Sequence, residues 1–253
     1  MRRLVAIITV LLAASAAHAE RLTVAVSSPE VKIDSAFTGT TLTVFGVVEK
    51  DAAAAASNPD YKVAVLVVGP GESVVARRQD RVLGIWVNHA AQMILRPPSF
   101  YSLTTTDPLD TLANPAVLDR LGVGFEKIPF AYEGHPTIND PAADEFRAAY
   151  IRLKQKQGLF NQEIGVNFLG DLIFRAGVHL PANIATGRYT VLAYLFADGE
   201  LIANAQDSVE VSTTGFEATM ASFARSQSLL YGIICAALAL FVGWLGGVIF
   251  RRD

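Results

Sequence analysis

The sequence predicts a mainly β protein: a two-sheet sandwich interrupted by a helical insert and followed by one C-terminal transmembrane helix. Three observations carry this. Short β-branched runs occupy both ends of the region between residues 20 and 214, amphipathic helical patterns fill its middle, and a long uncharged apolar run closes the chain.

The N-terminus comes first. Arg2 and Arg3 precede an apolar stretch from Leu4 to Leu12, and small residues then lead to Ala17-His18-Ala19. This is the layout of a secretory signal peptide over residues 1–19, with Ala17 and Ala19 as the small side chains a signal peptidase accepts. The mature chain is expected to begin at Glu20, outside the cytoplasm.

"RLTVAV", "TTLTVFGVVE", "YKVAVLVVG" and "SVVARRQDRVLGIWVN" follow as strand-forming runs separated by turns such as "GPGE". Between Thr41 and Val48 the apolar residues alternate in part, which suits a sandwich strand with one wet face. "DAAAAASNPD" is a connector, with Asn58-Pro59 ending any helical turn begun by its alanines.

The period then changes over an insert at about residues 108–160. Asn114 before Pro115 starts one helix and Gly122 stops it. "NDPAADEFRAAYIRLKQKQG" is a second helix. Asp140 is its expected cap, with Asp144 and Glu145 at the positive end and Arg152, Lys154 and Lys156 at the negative end. Phe146, Ala149, Tyr150 and Leu153 are spaced to form its buried face.

Strands return in "GVNFLGDLIFRAGVHLP" and "GRYTVLAYLFADGELIANAQDSVEVS", with Asp198-Gly199 as a hairpin turn. Tyr189 opens a strand two places after Gly187, the position of the tyrosine corner of immunoglobulin-like sandwiches. The expected fold is therefore an immunoglobulin-like β-sandwich over residues 20–214, followed by a membrane-proximal linker at 215–228.

Leu229 to Phe250 holds 22 residues without a charge. At 1.5 Å rise per residue it spans about 33 Å, enough to cross a hydrocarbon core of about 30 Å. Arg251 and Arg252 follow and set the orientation, with residues 251–253 as a cytoplasmic tail. Ala239, Gly243 and Gly247 recur every four residues and present a small face to a neighbouring helix.

Charge and cysteine narrow the function. Residues 20–228 carry 17 basic and 23 acidic side chains, with no basic stripe for nucleic acid or anionic lipid. The single Cys235 lies in the span, so the exterior folds without disulfides and offers no thiol nucleophile. His89, His135 and His179 lie on separate segments with no zinc-binding spacing, and no nucleophile elbow or dinucleotide loop occurs. No catalytic residue, cofactor or metal is expected. Two other readings stand beside this one: a membrane-tethered periplasmic enzyme, and a surface protein whose C-terminal helix is a processing signal.

"FLGDLIFRAGVHLPANIATGRYTVLAYLF", "GFEATMASFARSQSLLYG" and "GWLGGVIFRRD" resemble a family of alphaproteobacterial transmembrane proteins with a signal peptide, one periplasmic domain and one C-terminal span. The resemblance implies the inner membrane of a Gram-negative cell and carries no catalytic residue. The expected role is a membrane-anchored binding or assembly module. It would act as an accessory subunit of a membrane complex or transporter, with an integral-membrane partner or a second copy of itself.

Overall fold

The structure is a computed structural model of the chain. It describes residues 20–50, 59–82, 84–135, 137–215, 220 and 223–249. The signal region, the alanine-rich connector at 51–58 and residues 251–253 lie outside the described residues.

The early alternating runs form β1 (Arg21–Val26), β2 (Glu30–Ile33) and β3 (Gly39–Glu49), and β4 (Lys62–Val68) follows. β1 and β3 join β10 (Val166–Phe168) and β11 (Ile173–Pro181) in a four-stranded sheet of order β1-β3-β11-β10. β2 and β4 join β7 (Tyr101–Thr105), β9 (Phe160–Ile164), β12 (Gly187–Ala197) and β13 (Glu200–Thr213) in a six-stranded sheet of order β2-β13-β12-β4-β7-β9. The fold is mainly β, as the periodicity predicts, and two sheets packed face to face make it a sandwich.

Register identifies the facing surfaces. On the four-stranded sheet Leu42, Val44, Val48, Phe174, Ala176 and Val178 share one face and are buried. Phe174 fits there because Gly46, paired with it across β3 and β11, has no side chain. On the six-stranded sheet Val63, Val65 and Val67 lie level with Leu195, Ala193 and Val191. The same face carries Asp207, whose Oδ2 accepts from the Val26 N–H across the sandwich at 3.1 Å.

β4 explains how the insert is attached. Its alternate residues Ala64 and Leu66 point to the other face and are also buried, so the strand is covered on both sides. A strand with a single wet face alternates; a run of five buried residues requires a second layer. That layer is α1 (Leu109–Leu112), α2 (Pro115–Leu121), a 3₁₀ turn at Phe125–Lys127 and α3 (Asp144–Lys156). α2 begins where expected: Asn114 Oδ1 accepts from the Ala116 N–H at 3.1 Å, and Gly122 closes it in the left-handed region.

Three local expectations are corrected. "SVVARRQDRVLGIWVN" is not one sandwich run but two strands, β5 (Val74–Val82) and β6 (Ile85–Leu95), that turn at Gly84. They form a third sheet with β8 (Ala131–Tyr132), apart from both sandwich sheets.

Asp140 does not provide the side-chain cap of α3, which has none and follows a 3₁₀ turn at Pro141–Ala143. The Asp140 carboxylate instead lies 3.1 Å from His135 Nδ1 and accepts from Thr137 Oγ1 at 3.3 Å.

The buried face of α3 is rotated from the expected one. Tyr150 is buried with Ile151 beside it, whereas Ala149 is exposed and Leu153 is 53% exposed. Aromatic contacts select this face. The Tyr150 ring meets Phe130 and Phe160 edge-on at 5.8 and 6.0 Å, and its hydroxyl donates to the Pro98 carbonyl at 3.0 Å.

The β12–β13 hairpin turns at Asp198 (φ 51°) and Gly199 (φ 82°), the paired positive φ values of a type I′ turn. After Thr213 the chain leads to α4 (Ser228–Ile249), the apolar helix, in which no part of the stretch Ser228–Gly247 is buried against the rest of the chain.

Candidate functional site

The described residues place a cleft of about 510 Å³ on the outer face of the six-stranded sheet. Leu66 and Val68 of β4, Leu192 of β12 and Tyr101 of β7 form its floor, and Ile128 and Ile138 close its sides. The volume falls within the range of small-molecule sites, and an apolar floor with few polar groups is their usual lining.

Two cations without a partner among the described residues line the cleft, Arg96 and Arg120. Lys127 also lines it but is paired with Asp119 and donates to the Pro115 carbonyl at 3.2 Å.

The backbone around the cleft is held in demanding conformations. Among the described residues three non-glycine positions have positive φ, and two of them line this cleft: Arg96 (48°) and Asn139 (54°). The third is in the β12–β13 turn. A left-handed arginine needs support. Here the segment after Arg96 pairs with the segment after β4. Ser99 N–H donates to Pro70 O at 3.0 Å, and Gly71 bridges Pro98. A Cβ on Gly71 would lie 2.6 Å from the Arg96 carbonyl oxygen, so the close approach requires glycine. Asn139 is clamped to Phe130 by its own N–H and by its Oδ1, each at 2.7 Å.

Tyr101 fixes the opposite wall. Its hydroxyl donates to Gly122 O at 3.0 Å and accepts from Gly124 N–H at 2.8 Å, tying the turn between Arg120 and Lys127 to the sheet. Burial raises the pKa of this phenol well above its ordinary value. It is held as a neutral hydrogen-bonding post.

A second cleft, of about 540 Å³, lies between α2 and α3, with Leu118, Phe125 and Ile151 as its apolar lining. Its Asp110 and Glu126 offset its Lys127 and Arg152, so its lining is balanced in charge where the first is cationic.

The residues singled out by sequence lie elsewhere. Tyr189 is buried in the sandwich, and its hydroxyl donates to Ala185 O at 2.7 Å. Burial pushes its pKa up to about 12. Ala239, Gly243 and Gly247 lie along one side of α4, and a Cβ built on either glycine would meet nothing within 4 Å. Ala17, Ala19, Arg251 and Arg252 are outside the described residues. His179 is exposed on β11 and His135 sits with Asp140. No metal-binding group of three His, Cys, Asp or Glu side chains occurs among the described residues.

Sequence reasoning missed the cleft. Its walls come from segments far apart in the chain, and the isolated arginines at 96 and 120 resemble any surface cation.

A β-sandwich with an insert on one sheet and one long, uncovered apolar helix defines a transmembrane protein with a single candidate span, Ser228–Gly247 by its hydropathy. The chain belongs to the family described as "Putative transmembrane protein (Alph_Pro_TM)", which it matches over residues 21–252. No curated protein matches it in sequence. Among solved structures it is similar to AggA, the major subunit of aggregative adherence fimbriae type I from Escherichia coli. The identity is 12% and the TM-score 0.26, over 77% of this chain and 95% of that one.

Proposed function

We propose that the protein is a membrane-tethered binding and assembly module rather than an enzyme. The sandwich stands in the periplasm, α4 crosses the inner membrane, and the C-terminus is cytoplasmic. The observation that carries this reading is α4: 22 residues, apolar, with no part of its candidate span buried against the rest of the chain. A helix with a small-residue side open to its surroundings suits close packing against another membrane helix. An accessory subunit of a membrane complex or transporter has this construction.

The strand order supports an immunoglobulin-like reading of the exterior. β1-β3-β11-β10 follows the A-B-E-D order of that fold, and β13-β12-β4-β7 follows G-F-C-C′. The hydrogen bond from Tyr189, near the start of β12, back to Ala185 supports reading it as the tyrosine corner of such a fold. Such sandwiches present loops and strand edges to partners, so a binding role accords with the fold by analogy.

Crosslinking in native membranes followed by affinity recovery of the intact protein is the test. Reproducible recovery of one integral-membrane partner, or of a second copy, is the expected result. Recovery of the protein alone, with turnover of a substrate, overturns the reading in favour of a tethered enzyme.

A further inference from the structure

From the cationic cleft we infer that the protein binds an anionic amphiphile, a molecule with a phosphate or carboxylate head and an apolar body. This goes beyond a role in assembly and does not depend on it.

The chemistry follows from the lining. Val68 and Leu192, half-buried, offer an aliphatic floor with no charged group, and the exposed Ile138 extends it. A wholly apolar ligand would leave Arg96 and Arg120 idle. A small hydrophilic anion would leave the floor wet. One molecule satisfies both surfaces: its tail covers the floor and its head meets the guanidiniums, which bind phosphate and carboxylate oxygens in a planar fork. The acid among the charged lining residues, Asp119, is already paired with Lys127, so the uncommitted charge is positive.

The construction is also costly to maintain. Arg96 and Asn139 are both held in left-handed backbone, and Gly71 and Tyr101 hold the adjoining segments. Fixed walls spare the ligand the ordering cost that mobile walls would add. The cleft lies at the end of the six-stranded sheet from which the chain leaves for its membrane helix. Val68 pairs with Thr190 and Thr190 with Ser208, near the C-terminal end of β13. The ligand's source is therefore either a lipid of the adjacent leaflet or a diffusible amphiphile.

The test uses the full chain in phosphatidylcholine nanodiscs, titrated calorimetrically with octyl phosphate and corrected for empty discs. Saturable binding is expected, with inorganic phosphate and octanol, the head and the tail alone, each at least about tenfold weaker. The double variant Arg96→Gln/Arg120→Gln is expected to weaken octyl phosphate about tenfold or more, whereas Arg96→Lys/Arg120→Lys, which keeps the charge but loses the planar fork, weakens it less. If the glutamine variant does not fold, Ile138→Ser provides the second perturbation. That side chain is 64% exposed, so its loss is tolerated by the fold while the cleft loses part of its apolar wall. No saturable heat, equal binding of octanol, or affinity unaffected by either perturbation overturns the inference. Phosphatidylglycerol discs distinguish the sources: lowered apparent affinity for octyl phosphate marks the lipid headgroup as occupant, and unchanged affinity marks a diffusible ligand.

Discussion

Gly46→Ala is the smallest change that tests how the two sheets are packed. A Cβ at position 46 would lie 2.1 Å from Phe174 Cζ, 2.4 Å from Cε1 and 2.7 Å from Cε2. The ring cannot retreat freely: Phe174 is fully buried and its other side meets Phe168 edge-on at 5.9 Å. Overpacking of this kind costs about 1–3 kcal/mol. Replacing a strand glycine by alanine returns about 0.5–1 kcal/mol through lower chain entropy. An approach as close as 2.1 Å puts the overpacking cost in the upper part of that range, about 2–3 kcal/mol, so the net expectation is a loss of about 1–2.5 kcal/mol. At about 2–4 °C per kcal/mol for a domain of this size, the melting temperature falls by roughly 2–10 °C. The assay is a thermal melt of the intact protein in mild detergent, followed by circular dichroism in the β band. Phe174→Leu supplies the second arm, because a smaller side chain opposite position 46 leaves room for the new methyl. The double variant should be more stable than the two single losses added together, by about 1 kcal/mol. A Gly46→Ala protein that melts at or above the parent, or a strictly additive double variant, refutes the packing argument.

Tyr189→Phe removes the donor to Ala185 O from a buried site and is expected to cost about 1–2 kcal/mol, seen as a lower melting temperature of the intact protein. Stability should be flat from neutral pH to about 9.5 and fall between about 10 and 12. The reason is that burial pushes the phenols of Tyr150 and Tyr189 up to about 12 in the folded state, so the unfolded chain releases their protons first and gains stability as the pH rises. Melts across that range, with phenolate absorbance followed in parallel, check the window; stability unchanged up to pH 12 contradicts it. Gly243→Leu/Gly247→Leu should leave membrane levels intact but reduce co-purification of a helical partner or a second copy, while Ile233→Ala/Leu240→Ala has less effect. Unchanged association in the glycine variant would reduce α4 to an anchor.

Much of the fold was legible because it is written in local chemistry. The run Val63–Val67 announced a strand, Asn114-Pro115 and Gly122 bounded α2, and Asp198-Gly199 marked its turn. The turn in the third sheet was hidden because Gly84 is followed by Ile85 and preceded by apolar residues, without the Asn-Gly or Asp-Gly signature. The buried face of α3 was misjudged because sequence spacing offers two overlapping apolar stripes. The choice between them belongs to Phe130 and Phe160, which spacing within the helix does not register. The cleft was illegible for a similar reason. Arg96 acquires its place only when the segment after β4 pairs with the segment before β7, an event far outside any local window.

The double coverage of β4 has a further consequence. A strand that serves as the common wall of two apolar layers makes those layers mechanically inseparable: neither can open without wetting the other's lining. The helical layer is therefore not an ornament that could be trimmed to leave a minimal sandwich. Cutting it away would bare Ala64, Leu66, Tyr101 and Leu103 as a greasy plane beside a lipid surface. Shortened versions of the exterior should aggregate or adsorb to bilayers rather than persist as small soluble modules.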